Sequence, residues 1–323
     1  MKPPFSITAK ILNLVSQIER AIGRVERFDK PKPQPRLRKS NRVKTLHGSL
    51  AIKGNTLDLG QMTALLNGKR VLAPQQDIVE VFNANEVYEQ LSEYNPNSAK
   101  NLLDAHGLMM QELIEDAGEW RNVNVGVLKG KAISHMAPPA ERVSYLMDDL
   151  FEFLKDSEDH PLIQGCVFHY EFEFIHPFQD GNGRMGRFWH TLMLYHYHEI
   201  FEYIPVESMI KEHQQAYYDV LETCDKAGDS TAFIEFSLEM ILKSLTAFLE
   251  VFRPAKATVD DRIENAQTHF GNEEFSRKDY MDFHKTISTA TASRDLKTAV
   301  EKKLLEMSGD KATSVYSFCK TSP

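Results

Sequence analysis

His176-Pro177-Phe178-Gln179-Asp180-Gly181-Asn182-Gly183-Arg184-Met185-Gly186-Arg187 is a dense run of chemically capable residues. An apolar stretch, PLIQGCVFHYEFEFI (161–175), leads into it, and RFWHTLMLYHY (187–197) leads away. The run therefore reads as a loop that opens into a helix N-terminus. The first turn of a helix carries unpaired N–H groups and the positive end of the dipole, which suits phosphate. Gly181 and Gly183 let the backbone approach an anion with no Cβ in the way. Arg184 and Arg187 are three apart, share a helix face, and together predict a polyphosphate clamp. Asp180 is a hard oxygen ligand suited to Mg2+ bridging phosphates. His176 is a base near neutral pH, on the same loop, able to take a proton from an attacking hydroxyl.

Each residue alone has a plainer reading. A histidine before proline is usually a loop residue, a Gly-Asn-Gly run is usually a turn, and a single helical arginine is usually a surface charge. What favours chemistry is the coincidence of base, carboxylate, amide, glycines and two arginines at one helix start. His196 and His198 form no comparable cluster, because residues two apart on a helix point to different sides.

Outward from the motif, the 323-residue chain is long enough for a large core or for two to three small domains. Its 42% hydrophobic and 26% charged residues are ordinary for a soluble globular protein. A net charge of −8 argues against whole-surface attraction to nucleic acid or anionic membrane. Three widely spaced cysteines, Cys166, Cys224 and Cys319, fit neither a disulfide framework nor a thiolate metal site, so a cytoplasmic setting is expected. No run is apolar enough to span a membrane, and no membrane partner is expected.

The pattern divides the chain into three zones. Residues 1–45 start with a helical repeat, Ile11, Leu14, Val15, Ile18 and Ile22, followed by the basic, proline-punctuated KPKPQPRLRKSNRVK (30–44). Those prolines predict a solvated connector rather than a regular helix. Residues 46–252 are mostly amphipathic helices. The Arg253–Pro254 break then marks a linker to a compact tail, 253–323, with short helices and a final strand-like Val315-Tyr316-Ser317-Phe318.

The motif resembles that of the Fic family, His-x-Phe-x-(Asp/Glu)-Gly-Asn-Gly-Arg-x-x-Arg, and meets every specified position. The resemblance implies a mainly α fold: a Fic helical core with a β-hairpin flap, here with a small C-terminal winged helix-turn-helix domain. It implies transfer of AMP from ATP to a Tyr, Thr or Ser hydroxyl of a protein, with release of pyrophosphate. His176 would deprotonate the hydroxyl, Phe178 anchor the loop, and Asp180 bind Mg2+. Asn182 and the Gly181 and Gly183 backbone would hold the α- and β-phosphates. Arg184 would reach the β-phosphate region, and Arg187 the γ-phosphate. Relatives that transfer phosphate instead carry a lysine where Gly183 stands.

Three further stretches extend the resemblance. Residues 126–137 of GVLKGKAISHMAPPAERV (126–143) look like the flap that pairs with an extended piece of the target protein. Tyr217 and Tyr218 resemble residues near the family's adenine pocket, with a core role as the competing reading. Ser49-Leu50-Ala51-Ile52-Lys53-Gly54-Asn55 resembles the family's inhibitory helix, Ser/Thr-x-x-x-Glu-Gly-Asn. There Lys53 replaces the glutamate that pairs with the second motif arginine, so a repulsion between Lys53 and Arg187 is expected and the brake is lost.

In the tail, residues 287–296 and the segments after them resemble the winged-helix tail of this Fic class, with Thr291–Lys303 as the candidate DNA-contacting helix. From Lys256 onward, however, 11 Lys and Arg stand against 11 Asp and Glu. That balance favours a protein-interaction or homodimer role over DNA. Two functions follow: an adenylyltransferase acting on a target protein or on itself, or a nucleotide-sensing, DNA-binding regulator without turnover.

Overall fold

Pro161 occupies the start of the helix that leads into the motif, where a missing N–H costs nothing, and His160 caps it by accepting the Leu162 N–H. In the computed structural model, which describes residues 2–25, 35–129, 132–251, 258–271, 273–285, 287–309 and 314–319, the chain forms two compact units, 1–252 and 253–323.

The first unit is helical. Its helices are α1 (Ala9–Val25), α2 (Pro35–Lys53), α3 (Leu59–Leu66), α4 (Gln75–Glu89), α5 (Ala99–Met109), α6 (Val143–Asp156), α7 (Pro161–Ile175), α8 (Asn182–Tyr197), α9 (Val206–Glu212), α10 (Gln214–Ala227) and α11 (Thr231–Val251). A two-stranded antiparallel hairpin, β1 (Gly126–Lys129) and β2 (Ala132–Met136), lies between α5 and α6. α7 and α8 form the central antiparallel pair; α7 is apolar nearly all round, and α8 buries Met185, Phe188, Trp189 and Leu192 together with its polar Asn182, Arg184, Arg187 and His190. Cys166, Phe168, Phe172, Phe188 and Trp189 are completely buried there.

Two sequence expectations need correction. The basic stretch is helical from Pro35 onward, because proline is tolerated in the first turn; residues 26–34 and the Arg253–Pro254 break lie outside the described residues. The zone boundary at residue 45 also falls inside α2. α1 packs along α11 through Ile11, Leu14, Ile18 and Ile22, so residues 9–25 belong to the same core as the motif.

The second unit runs α12 (Val259–Phe270), β3 (Phe275–Ser276), α13 (Arg277–His284), α14 (Thr289–Glu301), β4 (Leu305–Ser308) and β5 (Val315–Phe318), with antiparallel sheet order β3-β5-β4. It has its own core of Ile263, Phe275, Tyr280, Leu296, Leu305 and Phe318. A two-pronged pair from Arg262 to the buried Asp295, at 2.6 and 2.8 Å, ties α12 to α14. No helix among the described residues is long and apolar enough to cross a membrane.

Candidate active site

α7 ends on His176, whose backbone is left-handed (φ 52°), and α8 begins after Gly181, also left-handed (φ 87°). A Cβ at Gly181 would lie 2.8 Å from the Met110 sulfur, so this turn requires glycine on both counts. Between them Phe178 plugs the loop into the core. It is fully buried and stacked on the His106 ring at 3.5 Å, with Trp120 beside it.

Asn182 has a different place from the one expected. Its side-chain oxygen accepts the Phe178 N–H and its amide donates to the Phe178 carbonyl, both at 2.8 Å. The amide thus closes the loop on itself, and both its polar ends are used; what remains for an anion is the helix-start backbone of Asn182 and Gly183.

His106 was silent in the sequence. Gly118 N–H donates to its Nδ1 at 2.9 Å, so Nε2 carries the proton and donates to the Asp180 carbonyl at 3.0 Å. Burial pushes its pKa down to about 4, which keeps this neutral tautomer. Arg121, likewise unforeseen, is 2% exposed and donates to the carbonyls of His176 (2.7 Å), Ile175, Val123 and Pro138. It joins the two feet of the β1–β2 hairpin to the backbone of His176. Strands form over 126–129 and 132–136 of the expected flap; Gly130 and Lys131 lie outside the described residues.

A cavity of about 530 Å³ gathers His176, Asp180, Gly181, Gly183, Arg184, Arg187, Lys53, Tyr217 and Tyr218. His176 Nδ1 lies 3.3 Å from the Glu173 carbonyl. Donation along that line leaves Nε2 as the basic nitrogen. The Glu173 carboxylate also lines the cavity and accepts from Tyr217 Oη at 3.2 Å. Burial works against its charge, but His169, His176 and Arg187 outweigh that and hold its pKa below the ordinary carboxylate value.

The two arginines do not form a shared open clamp. Arg184 is 2% exposed, donates to Glu80 Oε1 on α4 at 2.9 Å, and reaches Asp180 Oδ2 at 3.4 Å. Arg187 is 3% exposed and is held by Ser49, through the carbonyl at 2.9 Å and the hydroxyl at 3.3 Å. Tyr217 is buried, and Tyr218 is partly exposed with its hydroxyl 3.4 Å from the Ile52 carbonyl.

The segment from Ser49 to Lys53 is the last turn of α2, and Gly54 (φ 109°) ends it. Asn55 donates to the Asp77 carbonyl and to Glu80 Oε2 at 2.9 Å. Lys53 does not face off against Arg187 as expected. Its ammonium pairs with Asp180 Oδ1 at 2.6 Å, because that carboxylate is the nearer opposite charge. Burial opposes the Asp180 charge, yet Lys53, Arg184 and the Gly181 N–H together hold its pKa below the usual value.

The chain is similar to several known proteins. The Fic/DOC family model matches residues 96–194. "Protein adenylyltransferase Fic" of Culex quinquefasciatus is 27% identical over 225 residues, covering 66% of this chain and 43% of its own. "Protein adenylyltransferase fic-1" of Caenorhabditis elegans is 25% identical over 233 residues, with 68% and 43% covered. The chain thus spans under half the length of these curated relatives. A solved Fic domain containing signaling protein from Bacteroides thetaiotaomicron is 21% identical with a TM-score of 0.59, over 74% of this chain and 95% of that one, and shares the fold. A solved Fic family protein from Desulfovibrio desulfuricans G20 is 38% identical, has a TM-score of 0.77 and covers 100% of both chains. A likeness of that extent, end to end and well above the level of shared fold alone, means that the chain belongs to the Fic family.

Proposed function

We propose that the chain transfers AMP from ATP to a hydroxyl of a protein. The observation that carries this reading is one cavity shared by His176 and the N-terminus of α8, a base beside a phosphate-binding helix start. The adenylyltransferase names of the curated relatives support it. In the reaction, His176 Nε2 takes the proton of the hydroxyl as its oxygen bonds to the α-phosphorus. The bond from that phosphorus to the bridging oxygen breaks, and pyrophosphate leaves. The chain's part is positioning and charge, as phosphoryl chemistry needs. The α8 N–H groups, with Gly181 and Gly183 beside them, meet the α- and β-phosphates, and Arg184 steadies the loop from behind. Tyr218 at the cavity wall, with the buried Tyr217 beside it, takes the adenine ring.

Mg2+ at Asp180 does not fit the carboxylate as it stands. Oδ1 accepts from both Lys53 and the Gly181 N–H (2.7 Å), and Oδ2 faces Arg184. We therefore assign no step to a metal.

Ser49–Asn55, with Ser49 on Arg187 and Lys53 where the inhibitory pattern has a carboxylate, supports reading this segment as a brake that is lost, so the chain is expected to be active as it stands. The hydroxyl comes from a target segment that adds as a strand beside the β1–β2 hairpin, or from the chain itself. The helix and strand order of the unit 253–323 supports a winged-helix reading, and its balanced charge supports a protein contact or homodimer over DNA. A cytoplasmic setting suits both ATP and the unpaired cysteines.

ATP labelled at the α-phosphorus, incubated with the chain alone and with a cell lysate, tests the reading. Label is expected on protein from α-labelled ATP and not from γ-labelled ATP. Tight ATP binding with no transferred label in either sample would favour the nucleotide-sensing regulator.

Arg187 separates ATP from ADP in this scheme. Replacing it with alanine removes a charge-assisted contact to the γ-phosphate of roughly 1.5–3 kcal/mol, about a 10- to 100-fold loss in ATP affinity. ADP affinity should change little. Equal losses for both, measured by titration calorimetry, place Arg187 away from the γ-phosphate.

A further inference from the structure

Lys53 and Asp180 are 127 residues apart in sequence and 2.6 Å apart in space. The contact is built from the backbone outward. The α2 turn that carries Lys53 is pinned on several sides: Ser49 binds Arg187, Lys211 Nζ donates to the Ala51 carbonyl, and Gln214 Nε2 donates to the Ile52 carbonyl. Asn55, just past the helix, is fastened to α4 through Glu80. The stem of Lys53 therefore leaves from a fixed point, and its ammonium lies in the same cavity as Gly181 and Arg187.

The partner is fixed as well. Asp180 stands two residues before α8, with its carbonyl held by His106 and its Oδ1 by the Gly181 N–H. A divalent ion bound at about 2.1 Å from Oδ1 would compete with the ammonium for the same oxygen. The pair is half open to solvent, at 49% and 37% side-chain exposure, so a polyphosphate entering the cavity can reach the ammonium.

We propose that Lys53 is a tethered counter-cation: its ammonium takes, at Asp180, the position a divalent ion needs, and it lets the cavity bind a nucleotide polyphosphate without added metal. The inference rests on the nucleotide reading of this cavity. It extends that reading by replacing a dissociable cation with one carried on α2, adding a binding role to a residue where the family's inhibitory pattern has a carboxylate.

The test compares the full chain with Lys53→Met, which keeps the apolar stem and loses the charge. ATP affinity is measured by calorimetry in EDTA and in excess Mg2+, and Mn2+ binding without nucleotide by water-proton relaxation. The parent should bind ATP with about the same affinity in both buffers. Lys53→Met should lose about tenfold or more in EDTA, the scale of one charge-assisted contact, and recover with Mg2+. It should also bind Mn2+ more tightly than the parent, because Asp180 is released. Thermal melting should be unchanged, as the side chain is half exposed. If the parent depends on Mg2+ for ATP binding as strongly as Lys53→Met does, or if both bind Mn2+ alike, the counter-cation role is wrong and the nucleotide reading stands. If neither protein binds ATP in either buffer, the nucleotide reading falls and takes this inference with it.

Discussion

His176→Ala removes transfer, by about 10²–10⁴-fold or more, and leaves ATP binding in place. The side chain acts on the incoming hydroxyl, while the phosphates are met by the α8 N-terminus and by Arg187. The backbone survives the change because other groups hold it. His176 N–H donates to the Phe172 carbonyl at 3.0 Å, Arg121 grips the His176 carbonyl, and Phe178 anchors the loop two residues on. Alanine and histidine both carry a Cβ, so the left-handed φ of 52° adds little extra strain. Single-turnover transfer measured beside calorimetric ATP binding checks this. Near-normal transfer by the variant means that His176 is not the base; a joint loss of transfer and binding means that it holds the nucleotide instead.

Glu80→Ala is expected to have the largest effect on folding. Glu80 is 5% exposed and divides its oxygens between Arg184 and Asn55, each at 2.9 Å. Without it, the Arg184 guanidinium stays buried with Asp180 at 3.4 Å as its remaining anionic partner. Removing one member of a buried pair costs roughly 3–5 kcal/mol, because the other charge is left uncompensated. The loss reaches the active site too, since Arg184 belongs to the first turn of α8 and Asn55 to the segment that carries Lys53. Glu80→Gln, which keeps the shape and one acceptor, should cost less. Both tryptophans of the chain, Trp120 and Trp189, lie in the first unit, so their fluorescence in urea reports on that unit alone. A loss under about 1 kcal/mol, the scale of an exposed pair, contradicts the assignment.

Local structure was legible and distant partners were not. The helix–loop–helix around His176 could be read because its signals are contiguous: apolar runs on either side, Pro161 at one start and Gly181 at the other. The hairpin at 126–136 and the periodic α1 were legible for the same reason. Glu80, His106 and Arg121 were not. Glu80 stands on a helix whose polar residues look solvent-facing, and His106 and Arg121 gain meaning from carbonyls more than 50 residues away.

Asn182 was misread for a physical reason. A buried amide satisfies its own loop first, and Phe178 offered both a donor and an acceptor within four residues. Lys53 was misread because a sequence gives the sign of a charge and not its nearest neighbour. Arg187 was already taken by Ser49, and Asp180 had an oxygen to offer.

The claim that this chain moves AMP from ATP to a hydroxyl through His176 is tested most directly by intact-mass spectrometry. The chain is incubated with ATP, alone and with a cell lysate, in parallel with His176→Ala. The account predicts a gain of one adenylyl group per modified hydroxyl on the chain or on a lysate protein, released pyrophosphate in equal amount, and neither product from the variant. A gain of a phosphoryl group instead, or adenylylation that persists undiminished in His176→Ala, would contradict it.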